Sequence, residues 1–431
     1  MGPRPRHTSA AARNVKAPGA VATDMSESQH EQGEQVQPTE HHRVVVIGAG
    51  QAALSTAHFL RRDGERPGRE LLLLDANPTP GGAWSHRWDA LTFDDAHGIH
   101  DLPGLPLGET DPTEPAREVV KRYYGAYEEH EGLQVQRPWR VTSVRRTHDP
   151  DPARPGDRPR FLVTATSGSA AQGTETKAST RTLTASALVS ATGTWDRPFV
   201  PSYPGRFGGR QLTTAGFVSP DEFAGRRVLV VGGGTSAVQF LLLLREHGAD
   251  TLWSTRHAPD WTEVPFDAEW GRQVEHSVAG RTRAGLPPLS VVAATGLPLI
   301  PRYVRGIEDG ILLSRGPIVR LTEDGVDLAD GSHERVDVIL WATGFRAALD
   351  HLAPLHLRAP GGGVAMADDD VSVPAAPGLV LVGYGPSAST LGATRAGRRA
   401  ARAVARILTP TQATTKASRD GAGRTPEPAV V

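Results

Sequence analysis

Two stretches of this 431-residue chain share one grammar: an apolar, β-branched run, then G-x-G-x-x-A, then a helix-forming run. The first is Arg43-Val44-Val45-Val46-Ile47-Gly48-Ala49-Gly50-Gln51-Ala52-Ala53. The second is Arg227-Val228-Leu229-Val230-Val231-Gly232-Gly233-Gly234-Thr235-Ser236-Ala237. Such a unit demands a strand, a tight turn and a helix. The first glycine turns the chain, the second lets backbone approach a pyrophosphate, and a small third residue (Ala53, Ala237) lets the helix lie on its strand. The free N–H groups and positive dipole end of the helix then face the phosphates. A single copy is also compatible with an ordinary strand–turn–helix. Two copies imply two dinucleotide sites, with electron transfer between them. The binding candidates are Gly48, Gly50, Gln51 and Ala52 in the first, and Gly232, Gly234, Thr235 and Ser236 in the second.

The residues after each unit refine this. Leu71–Leu74 reads as a second strand ending at Asp75. An acid there accepts bonds from a ribose diol, of FAD or of NAD; a surface aspartate closing a strand is the competing reading. Gly81-Gly82-Ala83-Trp84 follows, bringing backbone close to the flavin end of a dinucleotide, so Gly82 and Trp84 join the candidates. In the second copy, Leu252–Thr255 runs into Arg256 and carries no acid. An arginine beside hydroxyls suits a 2′-phosphate and favours NADPH over NADH, against an ordinary surface arginine. Ala191-Thr192-Gly193 and Ala342-Thr343-Gly344 each follow an apolar strand and read as the returns of two nucleotide folds, adding Gly193, Thr343 and Gly344. Leu379–Val382 leads through Gly383-Tyr384-Gly385-Pro386-Ser387 to a helix from about Thr390 to Leu408, whose N-terminus suits negative charge on a reduced flavin. Ser387 is a candidate there.

Leu91–Gly104 is rich in acids and histidines, and reads equally as ligand-lining or as a solvated loop. It contributes Asp95 and His97. His97 and His100 lack a third ligand, so no metal is expected. The chain has no cysteine, which excludes disulfides, Cys-ligated zinc, iron–sulfur clusters and a thiol relay. A net charge of -1 favours neither nucleic acid nor an acidic membrane.

Together these features resemble the flavin-containing monooxygenase superfamily, among the two-dinucleotide-domain flavoproteins, over roughly Arg43 to Leu408. The matching pieces are Gly48–Ala53 for FAD, Gly81–Trp84, both Ala-Thr-Gly returns, and Gly232–Ala237 for NADPH. The superfamily also carries F-x-G-x-x-x-H-x-x-x-[WYF] ahead of its second nucleotide motif. Here Phe207, Gly209 and Phe217 fit, and Thr213 stands at the histidine position. The resemblance implies FAD and NADPH as cofactors, and a small organic substrate and molecular oxygen as partners. It implies hydride transfer from NADPH to flavin N5, then oxygen transfer through a C4a-(hydro)peroxide. Asp95, His97 and Thr213 are catalytic candidates by location. Thr213 keeps open an NADPH-dependent flavin reductase of an external acceptor; a third reading is a non-enzymatic NADPH-sensing flavoprotein.

The expected fold is α/β: two Rossmann-like dinucleotide-binding domains, the NADPH domain inserted in the FAD domain, with a small antiparallel β meander from Leu133–Gln136, Trp139–Arg145, Phe161–Thr166 and Arg181–Thr184. The expected boundaries are a disordered tail over 1–42, the FAD domain over 43–200 and 336–408, the NADPH domain over 201–335, and a second disordered tail over 409–431. The first tail has no apolar core of a signal peptide. No run approaches the ~18 apolar residues of a membrane span, and a cytoplasmic location is expected.

Overall fold

The computed structural model of the chain describes residues 40–96, 99–147, 160–168, 179–263, 268–289 and 296–409. Continuous apolar runs mark strands buried on both faces, and the two clearest, at Val44–Ile47 and Leu71–Leu74, lie side by side. The first sheet contains β1 (Glu40–Ile47), β2 (Leu71–Leu74), β3 (Arg140–Arg146), β4 (Phe161–Ser167) and β5 (Ser179–Ser190), in the order β2-β1-β5-β4-β3. Here β1 pairs in parallel with β2 and β5, while β3 and β4 are antiparallel. The helices are α1 (Gln51–Arg62), α2 (Ala116–Glu131), α3 (Thr235–Glu246), α4 (Ala268–Arg283), α5 (Pro301–Glu308) and α6 (Thr390–Leu408). Alternation along the strands divides the apolar residues between two faces. Val44, Val46, Leu71 and Leu73 pack with α1, α2 and α6. Val45, Ile47, Leu72 and Leu74 pack with residues of β3, β4 and the 352–384 segment.

The meander is not a separate insertion. Arg181–Thr184 and Leu188–Ser190 belong to one strand: β5 pairs antiparallel with β4 over Ser179–Ala185 and parallel with β1 through Ser190. The strand expected at Leu133–Gln136 does not form. Gln134 takes a left-handed φ of 51°, which breaks an extended run, and only Gln136 bridges Leu74. The first tail also ends earlier than 42, because Glu40, His41 and His42 pair with Leu183, Thr184 and Ala185.

The second sheet is fully parallel, with β6 (Arg210–Thr213), β7 (Arg227–Val231), β8 (Asp250–Ser254) and later β14 (Val338–Trp341) in the order β6-β14-β7-β8. Between β8 and β14 come a short parallel pair, β9 (Trp261–Thr262) with β10 (Leu297–Pro298), and an antiparallel sheet of β11 (Ile318–Leu321), β12 (Gly325–Leu328) and β13 (His333–Arg335). The expected boundary at 336 is corrected by β14. It pairs with β6 and β7, so the strand after Val336 belongs to the second sheet. The chain rejoins the first sheet at β15 (Leu379–Leu381), which pairs with β5.

Both glycine turns sit against the strand that returns beside them. Gly48 has φ +104°, and a Cβ there would lie 2.7 Å from the Ala191 carbonyl oxygen. Gly232 has φ +142°, and its Cβ would fall inside contact of the Ala342 carbonyl oxygen. Matching hydrogen bonds hold each arrangement: Ala191 N donates to Ile47 O and Ala342 N to Val231 O, both at 2.8 Å.

Past these returns the two crossover segments pair with each other. Phe199 N donates to Gly344 O (2.9 Å), Arg346 N to Arg197 O (2.7 Å) and Ala348 N to Gly193 O (2.9 Å). The threonine of each Ala-Thr-Gly holds the opposite segment: Thr192 Oγ1 donates to Ala348 O (2.7 Å) and Thr343 Oγ1 to Phe199 O. Trp195 stacks on Phe345 with ring centroids 5.1 Å apart. Among the described residues no helix is long and apolar enough to cross a membrane.

These contacts separate the roles of neighbouring glycines. Gly232→Ala is expected to destabilise the protein by about 2 kcal/mol or more, through its left-handed φ and the clash with backbone. Gly234 has φ -107° and nothing within 4 Å of a built Cβ, so Gly234→Ala should cost only about 1 kcal/mol, the preference for glycine over alanine at a helix N-cap. Urea unfolding followed by tryptophan fluorescence checks this; equal losses would mean that the close approach is not what the first glycine serves.

Candidate active site

The second glycine of each motif stands at the head of its helix and faces open space. Gly50 caps α1 and Gly234 caps α3, both extended, with no side chain capping either helix. Neither built Cβ meets a protein atom within 4 Å. The uncapped N–H groups and positive helix end therefore front a cradle that glycine keeps clear, which fits a pyrophosphate. Gly82 deepens the first cradle. It has φ +55°, and its Cβ would lie 2.9 Å from Gly50 Cα, so a side chain there would push the Gly81–Trp84 turn off the glycine loop.

Two helix N-termini converge here. Gln51 Nε2 donates to Thr394 Oγ1 (3.1 Å) and Ser55 Oγ to Thr394 O (2.8 Å), tying the start of α1 to the start of α6. Ala52 is buried beneath this contact. Ser389 Oγ accepts from Gly392 N (3.0 Å) and caps α6. Ser387 is wholly buried, and its hydroxyl donates to Tyr384 O (2.8 Å) while accepting from Tyr384 N (3.1 Å). It shapes the turn ahead of α6 and does not present its hydroxyl to a ligand.

Asp75 is buried at the end of β2. Its Oδ2 accepts from Arg137 Nε (3.1 Å) and its Oδ1 from Asn77 Nδ2 (3.2 Å); Arg137 in turn forks onto Glu128 at 2.8 and 2.6 Å. Burial pushes the Asp75 carboxyl up and the Arg137 guanidinium opposes it. Oδ1 also accepts from Asn77 N (3.4 Å), so the second lone pair of Oδ2 is the one left for a ribose hydroxyl, and Arg137 fixes its orientation.

In the second unit, Trp253 Nε1 donates to Gly232 O (2.7 Å) and pins the glycine turn. Thr235 and Ser236 are partly exposed at the first turn of α3. Arg256, just past β8, is exposed and makes no ion pair among the described residues. It lines a cleft of about 320 Å³ with Thr255, His257, Trp261 and Ser314. Thr255 Oγ1 and Ser314 Oγ lie 2.6 Å apart. The sequence reading missed His257, Trp261 and Ser314; only the tryptophan's closeness to Arg256 hints at a base-stacking wall.

Of the three catalytic candidates, Asp95 and Thr213 lie among the described residues, and each is held in a structural contact. Asp95 Oδ1 accepts from Arg302 Nη1 (2.9 Å), its Oδ2 from Thr92 Oγ1 (3.3 Å), and its carbonyl from Gln239 Nε2 (3.0 Å). These bonds brace the loop onto α3 and α5. Thr213 ends β6 in register with Trp341. His97 lies outside the described residues. Thr343, Gly344 and Gly193 are engaged in the paired crossovers, through the Thr343 hydroxyl and the two glycine carbonyls. Trp84 is half-buried and packs against the cores of both nucleotide units. Among the described residues no cluster of His, Asp and Glu is suited to hold a metal.

Comparison with known proteins agrees with this geometry. Residues 42–281 match the pyridine nucleotide-disulphide oxidoreductase family. A flavin-containing monooxygenase from Stenotrophomonas maltophilia is 32% identical with a TM-score of 0.68, covering 86% of this chain and all of that one. Indole-3-pyruvate monooxygenase YUCCA1 from Oryza sativa subsp. japonica is 27% identical over 338 residues, 70% of this chain and 76% of the relative. Bacillithiol disulfide reductase Bdr from Bacillus cereus shares the fold at 18% identity and a TM-score of 0.59, covering 85% of this chain and 99% of that one. With two glycine cradles, two returns and one paired crossover in place, the chain belongs to the pyridine nucleotide-disulphide oxidoreductase family, on its flavin-containing monooxygenase side, as an oxidoreductase that uses FAD and NADPH.

Proposed function

We propose that this protein is an NADPH-dependent flavin monooxygenase that places one atom of molecular oxygen on a small organic substrate. The duplicated cradle carries the two-cofactor part of the reading: two open glycine turns, each at an uncapped helix N-terminus, joined by paired crossovers; the likeness to a flavin-containing monooxygenase supports oxygen transfer over plain reduction. FAD sits at the first, with Gly48, Gly50, Gly82 and Asp75 around it and the N-termini of α1 and α6 facing it. NADPH sits at the second, with Gly232, Gly234, Thr235 and Ser236 at its pyrophosphate and Arg256 at its 2′-phosphate. In domain terms, the NADPH unit is inserted in the FAD unit: the chain leaves the first sheet after β5 and returns at β15.

Bound FAD supplies the redox chemistry, taking hydride from NADPH and passing electrons to oxygen. The chain supplies position. The uncapped helix ends hold phosphate charge, Asp75 orients a ribose, and the crossovers fix the second unit against the first. Trp84, lodged between the two cores, walls the junction from water. Asp95 and Thr213 contribute through location, bracing the loop and ending the edge strand beside that junction.

A flavin reductase of an external acceptor is the second reading. Thr213 at the histidine position favours it. With no cysteine in the chain, electrons would leave directly from flavin.

Three measurements test these assignments. Gly50→Val should purify folded but without yellow colour, because its side chain enters the space kept for the pyrophosphate, with the apoprotein destabilised by only about 1 kcal/mol through the lost N-cap glycine; a fully loaded mutant overturns the first site. Arg256→Ala should weaken NADPH about tenfold or more by equilibrium titration, and NADH less than about twofold; equal losses overturn the 2′-phosphate role. Finally, anaerobically NADPH-reduced protein is mixed rapidly with oxygenated buffer. A long-lived species, spectrally distinct from oxidised and reduced flavin, is expected. Direct return to oxidised flavin with stoichiometric peroxide, with and without substrate candidates, would turn the assignment to the reductase.

A further inference from the structure

Arg87 lies among three tryptophans where the two nucleotide units meet. Its guanidinium carbon is 4.3 Å from the ring centre of Trp195, 5.5 Å from Trp84 and 6.0 Å from Trp88. Trp84 follows the Gly82 turn that leans on Gly50. Trp88 is buried against Phe217 and Phe240, in the core of the second unit. Trp195 follows the first Ala-Thr-Gly return and stacks on Phe345, which follows the second. His86 also stacks on Trp195, with ring centroids 6.1 Å apart.

Among the described residues the guanidinium has no counter-ion. Its side chain makes no hydrogen bond or ion pair among the described residues, and its Nε is enclosed without a partner. Other arginines with an enclosed Nε differ: Arg43, Arg117, Arg227 and Arg399 each reach a carboxylate, on Glu65, Asp89, Asp250 and Asp370. The acids nearest Arg87 and Trp195 in sequence are already used, Asp89 by Arg117 and Asp196 by Arg140. Burial alone lowers the Arg87 pKa to about 10, and no neighbouring carboxylate raises it. Three aromatic faces offset part of the desolvation of a cation. They leave the in-plane N–H fork unsatisfied, and that fork matches a planar oxyanion.

We infer that Arg87 is an oxyanion-recognition residue at the junction, binding a carboxylate or phosphate oxygen pair within the Trp84–Trp88–Trp195 cage. The inference rests on the two-cofactor reading above for the location of the junction. The 2′-phosphate is already met by Arg256, at the outer end of β8. The oxyanion therefore comes from one of two sources, an acidic group on the small-molecule substrate or a bridging phosphate of the nicotinamide dinucleotide. A flat, apolar wall around one charged fork suits an aromatic or unsaturated acid.

The test uses the FAD-loaded full chain as wild type, Arg87→Met and Arg87→Lys, with flavin content checked first, so that failure of the cofactor reading is seen separately. Each is titrated with NADP+, with phenylacetate and with its neutral counterpart phenylacetamide, following flavin absorbance and tryptophan fluorescence. Arg87→Met should weaken an oxyanion probe at least tenfold, and Arg87→Lys, which keeps charge and loses the fork, by less. Loss for phenylacetate with phenylacetamide unchanged assigns the site to a substrate acid; loss for NADP+ assigns it to the dinucleotide. Where wild type ignores phenylacetate, the NADP+ arm decides. Affinities within twofold of wild type for both anions, or equal losses for phenylacetate and phenylacetamide, overturn the inference. If Arg87→Met does not retain FAD, wild-type anion affinity in Arg87→Lys overturns it instead.

Discussion

The structure depends on a close approach repeated twice. In each nucleotide unit the first glycine of the turn lies against the carbonyl of the alanine that opens Ala-Thr-Gly, Gly48 against Ala191 and Gly232 against Ala342. No side chain fits between them. This contact joins the glycine turn, the adjacent strand and the return into one rigid corner at the carboxyl end of the sheet, where ligands bind in open parallel sheets. The two sequence motifs therefore meet in space: the glycines are spaced by the ligand, and the first of them by the neighbouring strand.

From that corner the rest of the site follows. Because the returns are fixed, the segments after them emerge in defined directions and pair antiparallel, with each threonine bonded across to the opposite segment. Thr343, which reads as a cofactor contact, is thus used with Thr192 to join the two units. The Trp195–Phe345 stack lies on that connection, so the aromatic cage of Arg87 is coupled to it directly.

Much of this was legible because it is local. Apolar runs, turn glycines and the helix starts at Gln51, Thr235 and Thr390 are set by short-range chemistry, and they appear where patterning placed them. The errors have a common physical origin in long-range pairing. β5 reads as two strands because a polar N-terminal half faces the antiparallel extension and an apolar half fills the parallel core, although the backbone runs straight through. Val338–Trp341 has the composition of any buried strand, so nothing local tells which sheet it enters; its register with Val228–Val231 does. For Asp95, a catalytic candidate by its place in an acid- and histidine-rich loop, only the fold brings Arg302 to it across more than two hundred positions.

The division of labour between cradles and junction limits what the fold can specify. Both cradles offer a ligand backbone N–H groups, helix ends and the absence of side chains, features that suit a dinucleotide without selecting a reaction. Selection must come from side chains at the junction, and there the chain places three tryptophans around a guanidinium with no partner among the described residues. Such a wall excludes water and stabilises a flat apolar body with one negative end. The backbone sets which cofactors meet, and these few side chains decide what meets them.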